Sequence, residues 1–377
     1  MTTSSIDKLC EINDPYTYNP ERDALFVEAV KENYAFQLEK QPFIRYLANQ
    51  RHFHIDRLKT IADIADIPPL FVGIMKINTF CNFEEKDIQM VLTSSGTKGQ
   101  KTQSFFDAAS LNRLSSLALK CFHACGWTSD VPAHFFVMGY NIEEAKNLGT
   151  SWSNNQLLSL APNKSVNWTI LKDDKGEFNF DYAYWARKVI ELSEDAPIRL
   201  TGFPAFMSQL AYEIQRIKPG FKVKEGSFIT GGGGWKNHKG NVLTHQEFGA
   251  LMEESMGIST ACIRDIFGMA EHGIPYCSCS AGHYHIPVYS RLLIRDPLSL
   301  AVMPDETEGL MNLISPYNMA QPNLSVLATD LAIIKENCSC GIQGKYISSI
   351  RRGGISKNRG CAIAAQEILN KSQGGKS

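Results

Sequence analysis

Residues 91–102 read VLTSSGTKGQKT: a short apolar run, then hydroxyl side chains interleaved with two glycines and two lysines, and no acid. That pattern predicts a strand over residues 89–93 entering a loop whose backbone N–H groups, hydroxyls and cations face an anion, with polyphosphate the leading candidate. A solvated Ser/Thr/Gly turn would have a similar composition. The segment is not a P-loop, because Gln100 rather than a glycine precedes Lys101-Thr102.

The rest of the chain narrows the choice. Its 377 residues are 44% hydrophobic and 20% charged, with a formal net charge of -1, as expected of an ordinary globular protein. No basic excess or stripe suggests a nucleic-acid partner. The amino-terminal residues lack an apolar signal core, and no segment is long enough to span a bilayer. A cytoplasmic location is therefore expected, with the ten cysteines as thiols or metal ligands. Helical periodicity covers residues 23–50, 108–125, 181–192 and 204–217. A Thr244/Glu247 capping box opens a further helix that ends at Gly257. Short strands are expected at 134–140, 198–201, 227–230 and 262–267, and successive strands from 288 to 350. Strand–helix alternation followed by strands predicts an α/β core with a β-rich later section.

Several of these strands end in loops of unusual chemistry, where open α/β sheets bind ligands. Gly231, Gly232, Gly233 and Gly234 let a backbone approach a flat ligand closely, and Trp235 and Lys236 follow directly. In IRDIFGMAEH, Arg264 and Asp265 lie within an apolar strand, and Glu271 follows Phe267-Gly268-Met269-Ala270. A carboxylate there could hold Mg²⁺ against phosphates, although a surface glutamate after a turn is commoner. Asp330 interrupts the apolar strand VLATDLAII, and a buried acid needs partners such as the hydroxyls of a ribose.

Together these motifs resemble the adenylate-forming enzymes, the acyl/aryl-CoA ligase and luciferase superfamily. Thr93-Ser94-Ser95-Gly96-Thr97-Lys98-Gly99 resembles their phosphate loop. Phe267-Gly268-Met269-Ala270-Glu271 resembles their aromatic-Gly-x-Thr-Glu motif with Ala270 for Thr, and Thr329-Asp330 their Thr-Gly-Asp without the Gly. The closer resemblance, from about residue 90 to 365, is to the acyl-protein synthetase family, the long-chain-fatty-acid–luciferin-component ligases. It adds Phe228-Ile229-Thr230 before the glycines, Glu308-Gly309-Leu310-Met311, and Ile350-Arg351-Arg352 followed by Gly360-Cys361. The resemblance implies ATP-dependent activation of a carboxylic, typically fatty, acid to acyl-AMP. Lys98 and its loop would hold the β/γ-phosphates and Glu271 the Mg²⁺. Gly231, Gly232, Gly233 and Gly234, with Asp265, Phe267 and Gly268, would form the adenine side. Asp330 with Arg351 or Arg352 would hold the ribose, and Gly202, Phe203, Pro204 and Trp235 would line the acyl pocket.

Two departures shape the expectation. Only 47 residues follow Asp330, too few for the mobile lid domain that brings a lysine to the site in such ligases. In the acyl-protein synthetases a tail cysteine instead accepts the acyl group, and Cys361 matches it. Lys357 and Arg359 precede Cys361 and a helical pattern follows, which together favour thiolate. The expected organisation is an N-terminal helical segment (1–85), an adenylate-forming core (86–350) and a tail (351–377). An acyl-CoA-reductase-like subunit or carrier protein is the implied acyl acceptor, and homo- and hetero-oligomers both stay open. Separately, Cys277-Ser-Cys279, His283-Tyr-His285 and Cys338-Ser-Cys340 offer six ligands for a four-coordinate structural Zn²⁺. Likeness to phenylacetate-CoA-ligase-type relatives favours Cys277, His285, Cys338 and Cys340, with Cys279 and His283 as alternates. Competing readings are a ligase that uses an external CoA or carrier thiol, and a zinc-stabilised scaffold without catalysis.

Overall fold

The computed structural model describes residues 4–93, 102–140, 155–172, 178–232 and 243–353. The chain forms two compact units. The first is Met1–Lys120, Gly268–Ile274 and His285–Ser377; the second is Cys121–Phe267 and Pro275–Tyr284.

In chain order the helices are α1 (Ser5–Glu11), α2 (Pro20–Lys40), α3 (Pro42–Gln50), α4 (Val72–Ile77), α5 (Ala108–Ala124), α6 (Tyr182–Leu192), α7 (Pro204–Ile217) and α8 (His245–Met256). The strands are β1 (Leu70–Phe71), β2 (Ile88–Thr93), β3 (Gln103–Asp107), β4 (Ala133–Tyr140), β5 (Asn163–Lys172), β6 (Phe178–Asn179), β7 (Ile198–Gly202), β8 (Phe228–Gly232), β9 (Ile263–Phe267), β10 (Tyr276–Cys277), β11 (Tyr284–His285), β12 (Arg291–Arg295), β13 (Gly309–Ile314), β14 (Ser325–Lys335) and β15 (Tyr346–Arg352). Most lie where periodicity placed them, and the fold is the expected mixed α/β one. The single helix expected over 23–50 is two, because Pro42 forces Gln41 into the β region (φ -111, ψ 106) and ends α2. Strands β1, β3, β5, β6, β10 and β11, short or mixed in polarity, give no such periodicity in the sequence.

In the first unit, β12, β13, β14 and β15 form an antiparallel run, and β1 joins β14 in parallel with Leu70 opposite Val326. Asn19 caps α2 by accepting from the Arg22 N–H at 2.8 Å. Buried amides on α2 then tie it to the sheet connections: Asn33 Nδ2 donates to the carbonyls of Pro316 (2.8 Å) and Asn318 (2.9 Å), and Gln37 Nε2 to that of Gln321 (3.1 Å). Strands β2 and β3 form a separate antiparallel hairpin with Thr93 opposite Gln103.

The second unit holds a sheet in the order β10-β9-β8-β7-β4-β5-β6, with β4, β5, β7, β8 and β9 parallel. Its core joins Phe136, Met138, Leu200 and Ile229 of the strands to Met207, Leu210 and Ile214 of α7 and Met252 of α8. Pro204 at the start of α7, the Thr244/Glu247 box of α8 and left-handed Gly257 (φ 69) set the helix ends. Among the described residues no helix is long and apolar enough to cross a membrane.

Candidate active site and cysteine–histidine cluster

In the second unit, β7, β8 and β9 end in register, with Gly202 opposite Gly231, Gly231 opposite Asp265 and Gly232 opposite Ile266. Gly202 has φ 110, and a Cβ there would lie 2.4 Å from the Met138 carbonyl oxygen, so only glycine fits. The Phe203 N–H donates to that same carbonyl at 2.9 Å and starts α7 at Pro204. Asp265 is half-buried: Tyr284 Oη donates to its Oδ2 at 2.5 Å and the Ile266 N–H to its Oδ1 at 2.9 Å. Burial pushes the Asp265 carboxyl above its ordinary range against those two hydrogen bonds. A Cβ on Gly231 would stand 3.3 Å from Asp265 Oδ1, so the glycine keeps this strand end open beside the acid.

In the first unit the turn that carries Glu271 is pinned from beneath. The N–H groups of His272 (3.1 Å) and Gly273 (2.8 Å) close on the Met269 carbonyl. Asn323 Nδ2 donates to the Glu271 carbonyl and Tyr317 Oη to the His272 carbonyl, both at 3.0 Å. Gly273 has φ 86, and a Cβ there would fall 1.8 Å from Tyr317 Oη. Glu271 itself is buried. His272 is fully enclosed, and burial holds its imidazole down at about 3, so it is neutral.

Across β14 and β15, Asp330 pairs with Arg352 and Leu331 with Arg351. Arg351 points to Glu308, whose Oε1 accepts from its Nε at 2.6 Å and whose Oε2 accepts from its Nη2. Arg352 is therefore the arginine beside Asp330. Burial raises the Asp330 carboxyl, with the Arg352 and Lys76 charges opposing and Glu271 adding to the rise. Arg352, Glu271 and Lys76 thus act on Asp330 within this unit. Sequence pattern offers no signal for Lys76, whose place depends on β1 pairing with β14.

Several expected site residues lie outside the described residues. They are Ser94, Ser95, Gly96, Thr97, Lys98 and Gly99 of the phosphate loop, Gly233, Gly234, Trp235 and Lys236 after β8, and Cys361.

His285, Cys338 and Cys340 place their ligand atoms within 4.8 Å of one another, with Cys340 Sγ 3.2 Å from His285 Nε2. The Ile342 N–H donates to Cys340 Sγ at 3.4 Å, as amides do to metal-bound thiolates, and the buried His285 Nδ1 has no hydrogen-bond partner among the described residues. Ligands about 2.0–2.3 Å from a tetrahedral Zn²⁺ stand roughly 3.3–3.8 Å apart, so this soft, buried donor set fits the ion. Tyr16 and Tyr346 pack around the imidazole, with ring centroids at 5.6 and 5.8 Å. Cys277 has other company. Its carbonyl accepts from Cys125 Sγ at 3.8 Å, and burial beside the Cys125 thiol pushes its own thiol well above the ordinary range. Cys279 stands in the turn that leads to His285, its N–H donating to the His283 carbonyl at 3.0 Å.

The profile of the family described as "Acyl-protein synthetase, LuxE" matches residues 1–370. Two curated long-chain-fatty-acid–luciferin-component ligases are similar over nearly their whole length. That of Vibrio harveyi is 26% identical, covering 94% of this chain and 96% of the relative, and that of Aliivibrio fischeri is 24% identical, covering 98% and 96%. Among solved structures, 2-hydroxyisobutyryl-CoA ligase in complex with 2-HIB-AMP and CoA superposes with a TM-score of 0.69 at 16% identity. The match covers 91% of this chain and 70% of that one, a likeness of fold.

Proposed function

The chain belongs to the acyl-protein synthetase family, whose members are acid–thiol ligases, and from that membership we propose that it activates a fatty acid with ATP and takes the acyl group onto its own Cys361. In the first step an oxygen of the acid's carboxylate bonds to the α-phosphorus of ATP, and the bond to pyrophosphate breaks. In the second the Cys361 thiolate bonds to the acyl carbon and AMP leaves. Delivery to a reductase-like subunit or carrier protein would follow.

The carrying observation is the extent of the family match. It runs through residue 370, so the loop at Lys98, the Glu271 turn, Asp330 and Cys361 all fall inside one family unit. The geometry around them supports the same assignment. Asp330 beside Arg352 offers a carboxylate and a cation suited to a ribose and its phosphate. The glycine ends of β7 and β8 leave room for a planar base and for the acyl group near Phe203. Lys98 would neutralise the departing pyrophosphate. Glu271 would hold Mg²⁺, which when bound supplies charge neutralisation to the phosphates. His285, Cys338 and Cys340 would hold a structural Zn²⁺, and Cys277 is the weaker candidate for the fourth place because its thiol is engaged with Cys125.

The test is intact mass spectrometry after incubation with ATP, Mg²⁺ and a panel of saturated fatty acids. A hydroxylamine-sensitive acyl adduct on wild type is expected. Cys361→Ser should lose it while retaining acid-dependent ATP–pyrophosphate exchange, because a serine hydroxyl is barely ionised near neutral pH. An adduct that persists in the serine variant, or acyl transfer to CoA at the wild-type rate, would assign the acceptor role to a different thiol.

A further inference from the structure

We propose that Lys76, on a short helix near the amino terminus, is a catalytic residue whose ammonium contacts the α-phosphate of ATP and of the acyl-adenylate. The inference rests on the adenylation reading above and adds a group to that site.

Helix α4 is held at the end of β14 by its own apolar residues. Leu70 and Phe71 pair in parallel with Val326 and Leu327, and Leu70, Val72 and Met75 pack on Val326. Met269, from the turn that carries Glu271, packs on the same cluster. One small core therefore joins α4, the strand of Asp330 and the turn of Glu271. This fixed placement brings the half-buried Lys76 to act on Asp330, together with Arg352 and Glu271. Lys40 and Lys86 pair with the neighbouring Glu39 and Glu84, whereas Lys76 forms no ion pair among the described residues.

Charge accounting gives this lysine a task. A bound ATP adds about four negative charges and the fatty carboxylate one more, beside the two acids Asp330 and Glu271. Of the first unit's cations around these acids, Arg351 is committed to Glu308. Among the described residues, Arg352 and Lys76 remain beside Asp330. An ammonium on a flexible stem is a compact point charge, suited to a single non-bridging phosphate oxygen. As the carboxylate oxygen adds to the α-phosphorus, negative charge builds on those oxygens, and the electron pair of the breaking bond leaves with pyrophosphate. No proton moves in this step. When thiolate later attacks the acyl carbon, the same cation faces the phosphate of the departing AMP.

The test compares Lys76→Met and Lys76→Arg with wild type in acid-dependent ATP–pyrophosphate exchange and in calorimetric binding of AMP and of adenosine. Lys76→Met is expected to lower the exchange kcat about 100-fold, the usual effect of losing one transition-state charge contact. It should weaken AMP about tenfold while leaving adenosine binding and the melting temperature unchanged, since the difference between the two ligands is the phosphate. Lys76→Arg should recover most of both losses. Wild-type exchange in Lys76→Met would overturn the inference and leave the adenylation reading standing, as would equal losses of AMP and adenosine. No exchange by wild type with any acid tested would remove the adenylation reading, and the role of Lys76 with it.

Discussion

Replacing Gly273 by alanine should damage both stability and adenylation, and the damage should depend on one hydroxyl. Gly273 has φ 86, and its missing Cβ would lie 1.8 Å from Tyr317 Oη and 3.0 Å from Tyr317 Cζ. An L residue in left-handed backbone costs about 1–2 kcal/mol, and overpacking a filled site about 1–3 kcal/mol. Gly273→Ala is therefore expected to lose about 2–5 kcal/mol. Tyr317→Phe removes the donor to the buried His272 carbonyl and should cost about 1–3 kcal/mol. In the double variant the oxygen overlap is gone, but the ring carbon still sits 3.0 Å from the new methyl and the backbone strain persists. Only the overpacking share is recovered, giving a favourable coupling of about 1–2 kcal/mol. Urea denaturation at constant slope measures all four corners of this cycle. Pyrophosphate exchange should fall in each variant, because the same turn positions Glu271. Additive losses within about 0.5 kcal/mol would refute the claim that Tyr317 and Gly273 form one packing unit.

Lys98→Ala and Glu271→Ala should each cost about 2.7–4 kcal/mol of transition-state stabilisation in acid-dependent exchange with the fold retained, and wild-type rates in both would remove their assignment. Arg352→Ala should raise the KM for ATP far more than Arg351→Ala, whose loss frees only the exposed Glu308 pair; equal effects in steady-state kinetics would contradict the register argument. Elemental analysis should find about one Zn²⁺ per chain. Cys338→Ser should lose metal and melting temperature together, whereas Cys277→Ser should keep its zinc, and metal-free protein of full stability would show that the cluster is incidental.

Much of the candidate site is legible in the sequence because its parts are local. A glycine run at a strand end, a carboxylate after a turn and an acid inside an apolar strand each carry their chemistry within about ten residues, and periodicity supplies the strand. Lys76, Tyr317 and Asn323 carry no such signal. Each acts through a pairing between distant segments: β1 on β14 for Lys76, and the reach of Tyr317 and Asn323 to the carbonyls at His272 and Glu271. Pattern reading treats residues 1–85 as a helical appendage, because a two-residue strand such as Leu70–Phe71 lies below its resolution. The choice among the six candidate zinc ligands is hidden for a similar reason: Cys277 and Cys279 differ by two positions, and the contact of Cys277 with Cys125 distinguishes them.

The two arginines show how little geometry is needed to turn an ambiguous motif into an assignment. Arg351 and Arg352 are adjacent and chemically identical, so composition cannot rank them. Successive side chains on a strand point to opposite faces, and directly paired residues on neighbouring strands share a face. The antiparallel register sets Arg352 against Asp330 and Arg351 against Leu331. Arg352 would therefore be the arginine to serve a ligand held by Asp330, while Glu308 claims the other guanidinium. A one-residue slip of β15 would exchange the two roles. The Gly353 N–H holds the Thr329 carbonyl at 3.0 Å, and a Cβ at Gly353 would fall 2.3 Å from that oxygen. Gly353→Ala should thus disturb this pairing and weaken ATP binding although it touches no ligand, an effect that titration of the variant with ATP would detect and that unchanged affinity would exclude.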